Sequence, residues 1–422
     1  REGVPTGVAL TRSPRCDGQP VSPMVAKNRP HLTSADLAAA LCADGPSVAR
    51  LETAFAAFSG ARYGVAFPYC TASIYVALRY LTERPGEVIL PAYTCTVVPH
   101  AVVCAGHTPV FGDLAPDEYN MTPEIIRANR SADTVAVIPT HFYGYPVDVR
   151  AVRESVGSHV LVVEDRALAL AGGETFGKLA SDVAVYSFSQ GKHLFTVNGS
   201  VLVTDRPDLY ERLRRYQRAV CRPISLKLQL SRFLQLCVAA WGLGETGHSV
   251  LTWVRRLPAL EGHIDRRSLG AIRIPSDADT LLTDWQAHVG LRQLAARDFI
   301  HTRRRALAAV YDAELAGCPG IVRPRLLAEA SLSHYTVRVR GRNETGFVAA
   351  MARRGIEVGH TLDYLPPDLP VYQRWAGRSK YPNARLVASE VVNLPLYPSL
   401  PECRARHIAK LVRRERESTA RA

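Results

Sequence analysis

Val183-Ala184-Val185-Tyr186-Ser187-Phe188-Ser189-Gln190-Gly191-Lys192-His193-Leu194 passes from consecutive apolar, partly β-branched residues into a small polar turn and then a lysine. Apolar residues at successive rather than alternate positions mark a strand covered on both faces, as in a parallel sheet wrapped by helices. Ligands of such sheets bind past the carboxyl ends of the strands. A lysine just beyond the strand therefore stands where an amine can meet a bound carbonyl. A lone loop lysine is far more often an ordinary surface residue, so its meaning depends on its company.

Similar runs precede and follow it: Tyr63 to Phe67, Glu87 to Leu90, Thr108 to Phe111, Thr134 to Ile138, His159 to Val163 and Val201 to Val203. Helical stretches such as Ser73 to Leu81 and Thr94 to Cys104 separate the early ones, so a mostly parallel α/β sheet with helices on both faces is predicted. The run from His159 to Val163 ends in Glu164-Asp165, which puts a carboxylate at the ligand crevice, suited to a cationic heteroatom. By itself such a pair is more often a helix cap or a magnesium ligand. Between the first strand and its helix lies Cys70-Thr71-Ala72-Ser73, whose small residues let N–H groups at a helix N-terminus approach an anion. Together, Asp165, Lys192 and this turn offer partners for a pyridine nitrogen, an aldehyde and a phosphate, the three groups of pyridoxal 5'-phosphate (PLP).

Residues 1–30 carry five prolines and several glycines and read as a loosely ordered lead-in. The large α/β domain is expected over 31–206, starting with a helix in which Val48, Leu51, Phe55 and Phe58 recur at helical spacing and Gly60 ends the run. From 207 to 275 basic and apolar residues mix, among them Phe233, Leu236, Trp241 and Trp253. This helical insertion is too interrupted to span a bilayer, and it reads either as packed on the domain or as a contact for a membrane surface or carrier. The remainder, 276–422, is expected to hold a long helix pair from Leu282 to Ala316 and a smaller C-terminal α+β domain built on Tyr335 to Val339 and the helix near Gly346 to Arg354.

The net charge of +13 suits nucleic acid, an acidic membrane or a phosphorylated small molecule. No helix-turn-helix or other nucleic-acid module is recognisable, so no nucleic-acid partner is expected. The nine cysteines are irregularly spaced with no C-x-x-C pair, which disfavours a zinc site or a disulfide framework; no metal is expected, and a reducing cytoplasm fits best. No apolar signal segment opens the chain.

Six further segments carry a resemblance. His141-Phe142-Tyr143-Gly144-Tyr145-Pro146-Val147-Asp148 is similar to H-x-Y-G-x-P-x-D, Ser187 through Lys192 to S-F-x-x-x-K, and Gln286 through Leu294 to Q-A-x-x-G-L-x-Q-L. Asn393-Leu394-Pro395-Leu396-Tyr397-Pro398 matches L-P-L-Y-P, and Pro85 to Thr94 and Gly106 to Phe111 match in the same order. These are motifs of the DegT/DnrJ/StrS sugar aminotransferases, and the resemblance covers roughly Arg29 to Val412. It implies the aspartate-aminotransferase (type I) fold and PLP as cofactor. It makes Lys192 the catalytic residue that forms the Schiff base, Asp165 the partner of the pyridine nitrogen, and Thr71, Ala72 and Ser187 phosphate-binding positions. It also implies a keto-sugar substrate, usually nucleotide-linked, glutamate or a similar amino donor, and a homodimer with shared active sites.

The chain departs from the family pattern at several positions. Cys95 stands where many members have a ring-stacking aromatic, and Leu168 where Gln or His is usual. Asp279 and Leu281 replace an asparagine and an arginine. His360, in Gly359-His360-Thr361-Leu362-Asp363-Tyr364, is a candidate to reach substrate. Members that deoxygenate sugars carry His at the lysine position, so Lys192 favours transamination. Cyclitol aminotransferases and ring-forming dehydratases keep the lysine and stay open. A non-catalytic, DNA-binding or membrane-docked regulator of the same fold rests only on the basic tails and the apolar insertion.

Overall fold

The computed structural model describes residues 24–42, 45–173, 178–241, 270–341, 344–376 and 381–421. Its central sheet has seven strands: β1 (Tyr63–Phe67), β2 (Glu87–Pro91), β3 (Thr108–Gly112), β4 (Thr134–Val137), β5 (Leu161–Asp165), β6 (Val183–Ser187) and β7 (Ser200–Thr204). Their spatial order is β1-β7-β6-β5-β4-β2-β3. The pairs from β3 through β6 are parallel, while β7 runs antiparallel to both β6 and β1. Every strand predicted in this region is present. The antiparallel β7 follows from a short, helix-free return between Ser187 and Ser200, too brief for a parallel crossover.

Strand alternation sorts the buried side chains onto two faces. Leu161, Val163, Val183 and Val185 pack in one core with Ile74, Ala77 and Leu78 of helix α3 (Cys70–Leu81). Val162 packs on the opposite side with Val149, Val152 and Val156 of helix α6 (Val149–Val156), and Ala184 and Tyr186 with Leu51 and Phe55 of helix α2 (Ser47–Ser59). The same parity places Asp165 and Ser187 on the α3 face and Glu164 on the other.

Two boundaries differ from expectation in a way that matters. Strand β5 continues through the acidic pair, because Asp165 donates its N–H to Pro139 O (2.9 Å) and accepts from His141 N (3.0 Å), extending the ladder. Helix α3 begins at Cys70, so the small-residue turn is the helix's own first turn. The lead-in also departs: although 1–23 lie outside the described residues, 24–30 are packed, with Val25 N–H donating to Gly355 O (2.8 Å) and Val25 O accepting from Glu357 N (2.9 Å).

Beyond β7, helices Pro207–Val220 and Leu226–Trp241 open the insertion, and residues 242–269 lie outside the described residues. Leu226, Leu230 and Leu234 are 70%, 60% and 63% exposed, and with Val238 and Trp241 they form an outward apolar stripe at helical spacing. Among the described residues no helix is long and apolar enough to cross a membrane. Helices Asp284–Ala295 and Arg297–Glu314 form the expected pair, and a three-stranded antiparallel sheet, Val391–Leu394, Tyr335–Val339 and Ile321–Val322, stands with helix Glu344–Arg353 in the C-terminal part. Seven described cysteines are free thiols, and Cys403 is disulfide-bonded.

The motif glycine Gly144 has φ +89°, and a Cβ there would meet Ser331 O at 1.8 Å, so only glycine fits. Tyr143 before it is also left-handed, at φ +54°. Gly144→Ala is expected to cost at least ~2 kcal/mol, the clash adding to backbone strain. Thermal melting checks it, and an unchanged midpoint would show that this turn relaxes freely.

Candidate active site

Because β1 feeds α3 directly and points the same way as β5 and β6, the first turn of α3 opens at the edge where those strands end. Asp165 is the last residue of β5 and Ser187 the last of β6, two positions beyond the Asp165–Val185 register pair. Lys192 follows in the turn after β6, half-buried, its N–H donating to Ser189 O (3.2 Å), with Gly191 at φ +83° to make the bend. Thr71 and Ala72 are buried in the first turn of α3. Tyr69, the residue capping that helix, is extended and makes no side-chain cap bond, so the first N–H groups of α3 are left to a ligand or solvent. Asp165 and Ser187 thus end their strands on the α3 face at the edge where the first turn of α3, with Thr71 and Ala72, opens, and Lys192 lies in the adjoining turn.

Electrostatics tie the carboxylate to the amine. Asp165 is 4% exposed, and burial raises its carboxyl above the usual carboxylate range, opposed by the Ala167 N–H, by the charge of Lys192 and by His141. The Ala167 N–H donates to its Oδ1 at 2.8 Å. Burial also raises the Cys70 thiol, with Asp165 adding to this and Lys192 opposing it, so Cys70 lies within range of both. A buried carboxylate with a raised pKa is stabilised by any cationic N–H placed against it, as the ring nitrogen of PLP would be. Together with the uncapped small-residue turn and a half-buried amine, the residues fit the cofactor.

A second network stands behind the strand, on the face of Glu164. His141 Nε2 lies 2.7 Å from Glu164 Oε1 and its Nδ1 accepts from Val147 N (3.1 Å), so Nε2 carries the proton in the neutral ring. Arg166 Nε donates to the same carboxylate oxygen (2.7 Å), Ser181 Oγ to the other (2.7 Å), and Arg166 Nη1 to Tyr186 Oη (2.7 Å). Burial pushes the Glu164 carboxyl up, but the Arg166 charge and the His141 hydrogen bond overcome it and hold it at about 2. A cavity of about 520 Å³ lined by His141, Glu164, Arg166 and Lys178 opens on this face, away from Asp165. This network holds the strand end that carries Asp165.

Other expectations land differently. His360 is half-buried, with its backbone carbonyl accepting from Lys27 Nζ (2.6 Å). Asp279 pairs with Arg222 (3.0 Å), and Leu281 is exposed. Residues that sequence reasoning did not single out also border the site. Tyr364 lies beside Cys95, its hydroxyl accepting from Thr96 N (3.4 Å), so an aromatic from the C-terminal part stands next to the position lacking one. Tyr93 Oη and Tyr143 Oη are 2.8 Å apart, and Tyr93 donates to Leu362 O (3.3 Å). Burial holds His334 well below the usual histidine range, with Arg304, Lys27 and Lys192 adding to it. The Tyr143-Gly144 motif was the one available signal; the rest depends on long-range contacts.

Residues 26–233 and 270–413 match the DegT/DnrJ/EryC1/StrS aminotransferase family. The spore coat polysaccharide biosynthesis protein SpsC of Bacillus subtilis is 27% identical over 393 residues, spanning 90% of this chain and 92% of that protein. DesV of S. venezuelae, solved in complex with a ketimine intermediate, superposes with a TM-score of 0.70 at 27% identity, covering 91% of this chain and 94% of that one. PseC of Helicobacter pylori, an aminotransferase in pseudoaminic acid biosynthesis, superposes with a TM-score of 0.75 at 19% identity, covering 94% and 100%. With both matched segments spanning most of its length and PLP as the cofactor of that chemistry, the chain belongs to the DegT/DnrJ/EryC1/StrS aminotransferase family.

Proposed function

We propose that this enzyme transfers an amino group from glutamate, or a similar donor, to a keto-sugar carried on a nucleotide, with Lys192 as the catalytic amine. The observation that carries this reading is the placement of buried Asp165 at the end of β5 and of Lys192 in the turn after the neighbouring β6, at the edge where the uncapped first turn of α3 opens. When bound, PLP supplies an electron sink for the carbanion character that develops at the donor's α-carbon. Lys192 would hold the cofactor through its aldehyde and would be the group that carries a proton to and from the reacting carbons. Asp165 keeps the ring nitrogen protonated, and Thr71, Ala72 and Ser187 hold the phosphate against the helix N-terminus. The relatives' names, spore coat polysaccharide biosynthesis and pseudoaminic acid biosynthesis, support a sugar acceptor.

On the same reading the enzyme is a cytoplasmic homodimer. The seven free thiols support a reducing compartment, against which the bonded Cys403 weighs. The outward stripe of Leu226, Leu230 and Leu234 supports a contact surface, for the second subunit, a membrane or a carrier, in the insertion.

The test is spectroscopic. Purified protein should be yellow, and adding glutamate should bleach it toward the pyridoxamine form; a colourless protein that binds no PLP would sink the reading. Screening keto-sugar nucleotides beside cyclitol ketones then separates sugar amination from the cyclitol alternative. Asp165→Asn replaces a charge-assisted contact with a neutral one, worth up to ~3 kcal/mol, so PLP affinity should fall by up to ~10²-fold. Titration of the apo-protein with PLP measures this, and wild-type affinity in the variant would remove Asp165 from the ring-nitrogen position.

A further inference from the structure

Helix Leu226–Trp241 turns Leu226, Leu230 and Leu234 outward, while Arg232 is buried on its inner side together with Leu236. Arg232 is 1% exposed. Its Nη2 lies 2.6 Å from Asp277 Oδ2 and 3.3 Å from Tyr69 Oη, and its guanidinium sits over the Tyr69 ring, 5.5 Å from the centroid. Tyr69 Oη in turn donates to the same Asp277 oxygen (2.7 Å). The other two nitrogens, Nε and Nη1, are buried and have no hydrogen-bond partner among the described residues. A buried guanidinium with unanswered donors is a rare arrangement, because the desolvation they suffer is not returned by any acceptor. Tyr69 is the residue that caps α3, so this charge stands against the tyrosine from which the proposed phosphate turn begins.

We propose that Arg232 is an anion receptor whose Nε and Nη1 donate to a phosphate oxygen of a ligand bound at this turn. Guanidinium is suited to phosphate oxygens, being always charged and weakly hydrated. Two bearers share that chemistry, the 5'-phosphate of the cofactor and the diphosphate of a nucleotide-linked substrate. Only the identity of the bearer rests on the function proposed above. Asp277 holds one side of the guanidinium and partly neutralises it, so the anion competes with a carboxylate already in place.

The experiment uses the full chain with Arg232→Met, which keeps much of the stem's bulk, and Asp277→Asn, which removes the competing charge. PLP affinity is measured by titrating apo-protein, and inorganic pyrophosphate affinity by calorimetry on the cofactor-loaded protein, with melting curves for both variants. Arg232→Met should weaken one of the two ligands by at least ~10-fold, and Asp277→Asn should tighten the same one. Loss confined to PLP assigns the cofactor phosphate; loss confined to pyrophosphate assigns the substrate. A methionine variant that melts lower yet binds both ligands as the wild type does overturns the proposal, leaving Arg232 a structural ion pair. Should that variant fail to fold, Asp277→Asn decides alone: unchanged affinity for both ligands overturns it. Neither readout depends on transamination, so an absent glutamate reaction would count against the proposed function and not against this site.

Discussion

Lys192→Ala is expected to fold, to bind PLP without the yellow colour of an amine-linked cofactor, and to turn over at least ~10³-fold more slowly. The stability part follows from place. Lys192 is half-buried in a turn whose bend is made by Gly191 and whose N–H bond to Ser189 O belongs to the backbone, so truncation removes no core contact. Its melting point should move by no more than ~1 kcal/mol of stability allows. The activity part follows from reach. Lys27 spends its ammonium on the His360 carbonyl at 2.6 Å, and Lys178 lines the cavity on the opposite side of the sheet, with Glu164. His193, next in sequence, is buried and held well below the usual histidine range by burial, with Arg304 adding to it, so it is a poor proton carrier. With the amine gone, neither attachment of the aldehyde nor proton transfer at the reacting carbons has a substitute. Single-turnover absorbance with glutamate measures the loss, and a variant within tenfold of wild type would remove Lys192 from the mechanism.

The sheet was legible because burial on both faces writes itself as unbroken apolar runs, such as Leu161-Val162-Val163 and Val183-Ala184-Val185. The strand-end places of Asp165 and Lys192 were legible for a related reason, that ligands of a parallel sheet bind past the ends of its strands, whereas Ser187 entered only through the family resemblance. What the runs do not carry is parity across a boundary. Expecting the strand to stop at Val163 left Glu164 and Asp165 as a pair, whereas the ladder continues and sends them to opposite faces with different tasks. Contacts distant in sequence were not legible at all. Arg232 against Tyr69 and Tyr364 beside Cys95 join segments whose local composition holds no trace of the partner.

Glu164→Ala is the substitution expected to cost most stability, on the order of 3–5 kcal/mol, because it breaks a buried ion pair with Arg166 and removes the acceptor of the His141 hydrogen bond. Arg166 and His141 are both buried, and both meet the same carboxylate oxygen at 2.7 Å. Removing it takes away the carboxylate that answers the Arg166 Nε, while its Nη1 keeps the Tyr186 hydroxyl and the Ala171 carbonyl. Glu164→Gln should cost less, since its amide oxygen still accepts from both neighbours and Ser181 can reorient to accept from the amide. The glutamine variant also separates charge from shape through pH. The folded carboxyl is held at about 2, below its ordinary 4.5, so ionised Glu164 contributes stability that is fully present above the ordinary value and is lost as pH falls toward 2. Wild-type stability should therefore fall across that window by on the order of 3 kcal/mol from this group alone, and Glu164→Gln should show a correspondingly flatter acid limb. Denaturant melts between pH 5 and pH 2.5 measure both slopes, and parallel limbs would mean that Glu164 is not ionised in the fold. Since Glu164 precedes Asp165 on one strand end, loosening this network should also weaken PLP binding without touching the cofactor's own face, which makes the back of the sheet part of what aims the carboxylate at the ring.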